Sequence, residues 1–348
     1  MKFDATIGPE VISYYYTNYS TCPPDTSFFA TWQFVSIFLH SVLILESPLA
    51  IFTGYCIVKK TPKAMGSLKW AMLNLHIWST YMDVLICSLI TPYLMFPAIG
   101  GFTVGLLRWL EVPTTIQAYL GITSVGFMFN SISALFENRS SSFQKNWFRF
   151  ERSSTRFAFF TFNGLITAVC LLPVFSNLPD QGLAKIYQLT HLPCPNEEYF
   201  FSPVLILINT YWWAFYFAIV LCLQWFWIFF SILFFIACTT YFVFYSENAN
   251  FSQNTKKLQK TFFIGNLIQI AIPSVFWATP TYALVYLVMF SVYSQSLNNI
   301  GVAFVSLHGL ASILAILFIH KPYREFTLSI LCRNKKVVSL PASLVNAN

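Results

Sequence analysis

The chain has 348 residues, of which 56% are hydrophobic, 19% aromatic and only 9% charged. An ordinary soluble domain carries about 25% charged residues, and no water-soluble fold buries so large an apolar fraction. A bilayer removes this difficulty because its hydrocarbon takes the place of a protein core. The composition therefore excludes a soluble protein and predicts an all-α membrane protein.

Seven stretches are apolar, poor in charge and long enough to cross a bilayer, for which a helix needs roughly 20 residues. In chain order they are residues 32–58, 70–96, 113–136, 157–175, 215–245, 262–286 and 300–320. The sequence thus predicts an N-terminal segment, 1–31, a seven-helix domain, 32–320, and a tail, 321–348. Because residues 1–30 lack the pattern of a cleavable signal peptide, we expect the first span to act as the membrane signal.

The fifth stretch admits two interpretations, since no charge interrupts Tyr199–Ser246. A helix of that length would reach about 70 Å, whereas the hydrocarbon layer is about 30 Å thick. The stretch either contains two spans or lies partly outside the membrane. It has no Gly to form a turn between two spans. We therefore predict that Phe200–Trp213 is an extracellular lead-in to a single span.

Lysine and arginine fix the orientation. With seven spans, 17 of the 20 basic residues fall on one side, and only Lys2, Arg108 and Lys185 fall on the other. An excess of basic residues marks the cytoplasmic side, so the N-terminus is predicted outside and the tail inside. The net charge of +7 is then a sign of topology and gives no indication of a nucleic-acid partner.

Two features of the predicted extracellular side concern covalent chemistry. Of the eight cysteines, only Cys22 and Cys194 face this oxidising compartment. They are predicted to form a disulfide between the N-terminal segment and the second extracellular loop, with two free thiols as the alternative. Asn18 opens the sequon Asn18-Tyr19-Ser20 and is the predicted glycosylation site.

Three ionisable residues are predicted in mid-membrane, at similar distances from the cytoplasmic ends of their helices. Glu46 lies 12 residues before Val58, Asp83 lies 13 after Trp70, and His308 lies 12 before His320. Intramembrane charges are costly and usually functional. We expect Glu46, Asp83 and His308 to form one polar cluster whose rearrangement accompanies a change of state; the alternative is a static network that fixes helix packing.

Short motifs at equivalent helix ends resemble one family of membrane proteins. They are Lys60-Thr61-Pro62-Lys63-Ala64-Met65, Lys69-Trp70, Leu73–Ser79 with Asp83, Lys256–Lys260, Gln269, Ile272-Pro273, Asn298-Asn299-Ile300, Leu307-His308-Gly309 and His320-Lys321-Pro322-Tyr323-Arg324. In this order the chain, over about residues 14 to 330, resembles the nematode serpentine receptors of class H, of the Str superfamily. Ala311-Ser312 departs from the Ser-Thr that this family leads us to expect.

The resemblance implies a chemosensory receptor in the plasma membrane of sensory-neuron cilia, which detects a small environmental molecule and activates a heterotrimeric G protein. It implies no enzyme activity and no cofactor. The partners are then the ligand, the G protein and membrane lipids. The ligand is not specified by the motifs.

The cytoplasmic end of the third span reads Glu137-Asn138-Arg139, which is similar to the acidic-Arg-aromatic motif of rhodopsin-like receptors. By that similarity Arg139 would contact the G protein in the active state and pair with Glu137 at rest. The alternative is that Arg139 is a basic anchor at the membrane face with an incidental acidic neighbour.

A pivot and a pocket are predicted in the outer half of the bundle. Pro273 lies inside the sixth span, where proline removes a helical hydrogen bond and bends the helix. Small-molecule sites are mostly apolar with a few polar anchors. The residues predicted to form such a site are Gln117, Tyr119, Thr123, Tyr216, Gln269 and Trp277.

After the seventh span, basic and apolar residues alternate from Lys321 to Cys332, which suits an amphipathic helix on the inner leaflet. Cys332 is a palmitoylation candidate, with a free thiol as the alternative.

Two other classes remain open at this stage. One is a ligand-gated channel or transporter. The other is a membrane metal hydrolase, in which His76 and His308 would be zinc ligands, although the seventh span lacks a second histidine for a three-ligand site.

Overall fold

The structure, a computed structural model, describes residues 3–22, 25–62, 66, 68–192, 194–245 and 253–333. Seven helices within these ranges are long and apolar enough to cross a membrane. The spans are, first to seventh, Trp32–Lys60, Leu68–Ile90, Thr114–Ser141, Ser153–Ser176, Tyr211–Tyr245, Gln259–Met289 and Gln295–Ile319. The seven-helix fold predicted from the sequence is thus confirmed.

Several spans contain irregular backbone. The second and fifth end in π-helical turns, Leu85–Ile90 and Tyr241–Tyr245. The fourth consists of Ser153–Val169 and Leu172–Ser176, and the seventh of Gln295–Ser306 and His308–Ile319. The sixth span belongs to one long helix, Gln253–Met289, whose backbone continues through Pro273.

The second span ends before the predicted residue 96. Its helix stops at Ile90, because Thr91 adopts a left-handed backbone with φ of 44° and Pro92 has no N–H to continue the helical hydrogen bonds. Residues that were expected in the membrane instead form a strand.

Three strands cover the extracellular end of the bundle. They are β1, Pro92–Leu94, β2, Gly100–Thr103, and β3, Leu205–Ile206, paired antiparallel in that order. A Cβ atom at Gly100 or Gly101 would collide with the backbone carbonyl of Leu205 or Tyr93, so only glycine permits this pairing. β3 lies in the lead-in that was predicted before the fifth span, whose helix begins at Tyr211.

Short helices surround this sheet on the extracellular side. They are Pro9–Thr17, Tyr19–Thr21, Phe28–Ala30, Leu106–Trp109, Gln181–Leu189 and Glu198–Phe201. We refer to residues 3–22 as the N-terminal cap. Its Tyr15 and Tyr19 rings stack on each other and pack against Phe200 of the second extracellular loop.

Covalent and ionic links fasten the N-terminal cap to the same loop. Cys22 and Cys194 are joined by a disulfide, as the sequence suggested. The Lys185 ammonium donates to the Asp4 carboxylate at 2.8 Å and to the Thr6 hydroxyl at 2.7 Å. Burial lowers the pKa of Lys185, and the hydrogen bond and negative charge of Asp4 act in the opposite direction.

The bundle carries its apolar side chains outward and its polar ones inward. Ile51 and Phe226 are 77% and 71% exposed on outer helix faces, whereas Glu46 and Asp83 are each 1% exposed. Hydrocarbon solvates the outer faces at no cost, while buried polar groups need partners inside the protein. The third span lies at the centre of the bundle and contacts the second, fourth and fifth spans.

A final helix, Lys321–Arg333, follows the seventh span and returns to the first. The hydroxyls of Tyr323 and Thr61 are hydrogen-bonded at 2.7 Å, and the Phe326 ring stacks on Phe52. This element is the short helix predicted after the seventh span.

Replacing Lys185 by Met should loosen the N-terminal cap, because Asp4 would remain buried without its cation. Breaking a buried ion pair in this way costs about 3–5 kcal/mol. We expect a lower Tm of the purified protein and faster proteolysis within the N-terminal cap. The matched control is Lys321→Met, which removes an exposed ion pair with Glu325 and should change little. Equal behaviour of both variants would show that the Asp4 pair does not hold the cap.

Candidate functional site

The three predicted intramembrane residues meet in the bundle. The His308 Nδ1 atom lies 3.2 Å from the Asp83 carboxylate, and both side chains are buried. The Glu46 carboxyl lies beside that of Asp83, since a Cβ atom at Gly309 would meet oxygen atoms of both. The first, second and seventh spans therefore join at one polar cluster, Glu46, Asp83 and His308.

Electrostatics limits the protonation states of this cluster. Two carboxylates in contact inside a low-dielectric bundle cannot both be ionised without a compensating cation, so they behave as one coupled pair. The His308 Nδ1 atom also lies 2.9 Å from the carbonyl oxygen of Val305. Because both of its neighbours are acceptors, Nδ1 carries the ring hydrogen. The cluster thus combines two coupled carboxyls with one imidazole that donates from Nδ1.

Gly309 allows the two carboxyls to reach this position. A Cβ atom there would overlap the Asp83 carboxylate and press on the Glu46 carboxyl. The seventh span is interrupted at Leu307, directly before His308. The helical hydrogen-bond pattern is therefore interrupted where the polar groups enter the bundle.

A large cavity lies between this cluster and the extracellular sheet. It has a volume of about 380 Å³, within the usual range for small-molecule sites. The second, third, fifth, sixth and seventh spans line it, and all three strands contribute to its outer boundary. We call it the main cavity.

Trp277 connects the main cavity to the polar cluster. Its side chain lines the cavity, and its ring meets the His308 ring edge to face at 5.4 Å. A second, small cavity of about 30 Å³ borders both rings. A molecule that displaced Trp277 would therefore also disturb His308.

Only two of the six predicted pocket residues, Gln117 and Trp277, line the main cavity. The Tyr119 hydroxyl donates to the carbonyl of Ala168, and the Tyr216 hydroxyl donates to that of Cys170. The Thr123 hydroxyl donates to a carbonyl of its own helix.

The structure places Gln269 away from the main cavity and adds Asn298 to its lining. Gln269 lines the small cavity and is hydrogen-bonded to His320 at 3.1 Å. Asn298 lines the main cavity and was not predicted there. The available signal was its polar side chain at the outer start of the seventh span.

At the cytoplasmic end, the resting pair expected between Glu137 and Arg139 is not formed. Glu137 instead pairs with Arg156 at 2.8 Å and accepts a hydrogen bond from Ser141. Arg139 donates to the backbone carbonyl of Gln259, at the start of the sixth span, at 2.7 Å. The reason is geometric: residues two apart on a helix point about 200° apart and do not face each other. Asn138 lies between them on the same helix.

The other predicted sites differ in how far the structure describes them. Asn18 is exposed at the end of the helix Pro9–Thr17. The side chains of Pro273 and Cys332 lie outside the described part of the chain. Among the described residues, no three His, Cys, Asp or Glu side chains are grouped so that they could hold a metal ion.

Replacing Gly309 by Ala should destabilise the bundle, because the new methyl group collides with the Asp83 carboxyl. Overpacking of this kind typically costs about 1–3 kcal/mol. Gly301→Ala is the matched control on the same span, since its Cβ atom would meet Pro280 at an ordinary 3.5 Å. We expect reduced Tm and surface expression for Gly309→Ala alone. Equal Tm values would show that the carboxyls are not held against Gly309.

Comparisons with known proteins agree with this architecture. The family model described as serpentine type 7TM GPCR chemoreceptor Srh matches residues 30–333. Serpentine receptor class H-72 of Caenorhabditis elegans is 33% identical over 330 residues, covering 94% of this chain and 95% of the relative. The chain belongs to the Srh family of serpentine seven-helix chemoreceptors, a receptor family and not an enzyme family.

Proposed function

We propose that this chemoreceptor binds a small environmental molecule in the main cavity and activates a heterotrimeric G protein at its cytoplasmic end. The observation that carries the proposal is the contact between Trp277, which lines the cavity, and His308 of the buried cluster. It gives a bound molecule a direct physical route to the ionisable centre of the bundle.

The polar cluster then acts as the two-state element. A ligand shifts an equilibrium only if it interacts differently with the two states. A displaced Trp277 would move His308 relative to Asp83, and the preferred position of the shared proton would change with that distance. The break at Leu307 lets the outer part of the seventh span adjust without unwinding the inner part.

Arg139 is the proposed output of this change. In the present arrangement its guanidinium is buried and bound to the Gln259 carbonyl, which ties the third span to the sixth. Outward movement of the sixth span would break this bond and free Arg139 for the G protein. Pro273 is the proposed pivot of that movement.

The protein is a multi-pass membrane protein, and we further propose that it resides in the plasma membrane of sensory cilia. Asn18 would carry the extracellular glycan, and a palmitate on Cys332 would hold the helix Lys321–Arg333 to inner-leaflet lipids. An epitope tag on each terminus, stained in intact and permeabilised cells, tests this orientation. A tail accessible from the medium would contradict it.

The function is tested by expressing the receptor with a promiscuous G protein and screening small volatile and metabolic compounds. We expect a receptor-dependent response that disappears when the G protein is omitted. A current that persists without G protein would instead indicate a channel. Asp83→Asn removes the ionisable carboxyl from the cluster and should alter agonist potency or its pH dependence; unchanged values of both would remove the cluster's switching role.

Replacing Arg139 by Ala should lower coupling without reducing surface expression. A hydrogen bond to a charged group is worth enough to lower signalling roughly tenfold or more. The control is Arg149→Ala, which removes a cytoplasmic arginine whose partner, Glu151, is exposed. Undiminished coupling in Arg139→Ala would show that this residue is only an anchor.

A further inference from the structure

The lining of the main cavity carries no ionisable side chain among the residues that the structure describes. It consists of aliphatic and aromatic groups with a few uncharged polar ones. The intramembrane carboxyls of Asp83 and Glu46 lie outside the lining. An ion transferred from water into such a space would lose its hydration without gaining a counter-charge, which is strongly unfavourable.

Two amide side chains in the lining are oriented by the backbone. The Gln117 Nε2 atom donates to the carbonyl of Val112 at 2.8 Å, and the Asn298 Nδ2 atom donates to that of Phe96 at 2.9 Å. Both side chains are 1% exposed, and neither amide oxygen has a hydrogen-bond partner in the described protein. The residues that line the cavity therefore include two with buried acceptor oxygens that lack a partner and with nitrogens already engaged.

A donor and a hydroxyl add to the polar lining. The Trp277 Nε1–H group and the Thr103 hydroxyl also lack partners among the described residues. Buried polar atoms are nearly always hydrogen-bonded, so unsatisfied ones in a cavity indicate where a guest's polar atoms would lie. The two acceptors specifically favour a guest that donates hydrogen bonds.

We propose that the ligand is a neutral, largely apolar molecule with a hydrogen-bond donor, such as a hydroxyl group. This inference rests on the proposed role of the main cavity as the ligand site. The apolar lining binds the hydrocarbon part of the ligand. The amide oxygen of Gln117 or Asn298 accepts a hydrogen bond from the ligand's donor group. Carboxylates and ammonium compounds with the same carbon skeleton are rejected because the site cannot compensate their charge.

The test measures competition with a neutral fluorescent hydrocarbon probe bound to purified receptor in phosphatidylcholine nanodiscs. Competitors come as matched sets of alcohol, alkane, carboxylate and primary amine on linear, phenylethyl and terpenoid skeletons, at neutral pH. For at least one skeleton, the alcohol should compete about three- to tenfold better than the alkane, the gain expected from one hydrogen bond. Charged members should be weaker than the alcohol by about 100-fold or more.

Substitutions inside and outside the main cavity test whether the competitors bind there. Gly121→Leu adds a side chain at the cavity wall, where the Cβ position is free of clashes, and should weaken all competitors. Gln117→Met and Asn298→Leu should each reduce the alcohol's advantage over the alkane. The matched control is Gln224→Leu, because Gln224 also has an amide oxygen without a partner in the described protein but lies outside the cavity lining. Empty nanodiscs correct for partition into lipid.

The wild-type comparison is decisive even if a variant does not fold. A carboxylate or amine that competes as well as its alcohol would overturn the proposal, and so would failure of every neutral compound to compete. The nanodisc assay contains no G protein and therefore measures binding alone. If compounds bind in it but give no response in the cell assay, the proposed function is contradicted and the ligand chemistry stands. Signalling by a charged compound that Gly121→Leu abolishes would support the proposed function and overturn the ligand chemistry.

Discussion

The absence of water from the hydrocarbon core is the constraint on which this structure depends. Every polar group at that depth must find its partner inside the protein, because lipid offers none. The first, second and seventh spans bring their ionisable groups together for this reason, since Asp83 lies against both Glu46 and His308. Polar residues that would be scattered over the surface of a soluble protein are here concentrated in the interior, where their interactions are strongest.

The same constraint explains why irregular backbone is found beside the polar cluster. The π-helical turn Leu85–Ile90 begins two residues after Asp83, and the seventh span breaks one residue before His308. π-turns are frequent at functional sites, and a break in a span is tolerated where the protein itself surrounds the backbone. Gly309 adds the third element, because its missing side chain is the space that the carboxyls occupy. The irregular backbone and Gly309 thus lie where the ionisable groups of the cluster meet.

Sequence reasoning succeeded in predicting how deep a residue lies in the membrane. Apolar length located the spans, and counting residues from the helix ends placed Glu46, Asp83 and His308 at a common depth, where the structure brings them together. It was less successful in predicting the direction in which a side chain points around its helix axis. Tyr119 and Tyr216 lie at suitable depths for a pocket, but their hydroxyls donate to Ala168 and Cys170 of the fourth span. A single sequence gives the depth of a side chain in the membrane more readily than the direction in which it points.

The Glu137 and Arg139 pair shows the same distinction at the cytoplasmic end. The two residues are two positions apart in one motif, yet their side chains leave the third span on different faces and bind different neighbours, Arg156 and the Gln259 carbonyl. The third span is therefore fastened independently to the fourth and to the sixth. The proposed movement of the sixth span would break only the second of these contacts, and the ion pair would keep the third span in place while Arg139 is released. Two separate contacts permit a partial opening that a direct Glu137–Arg139 pair would not.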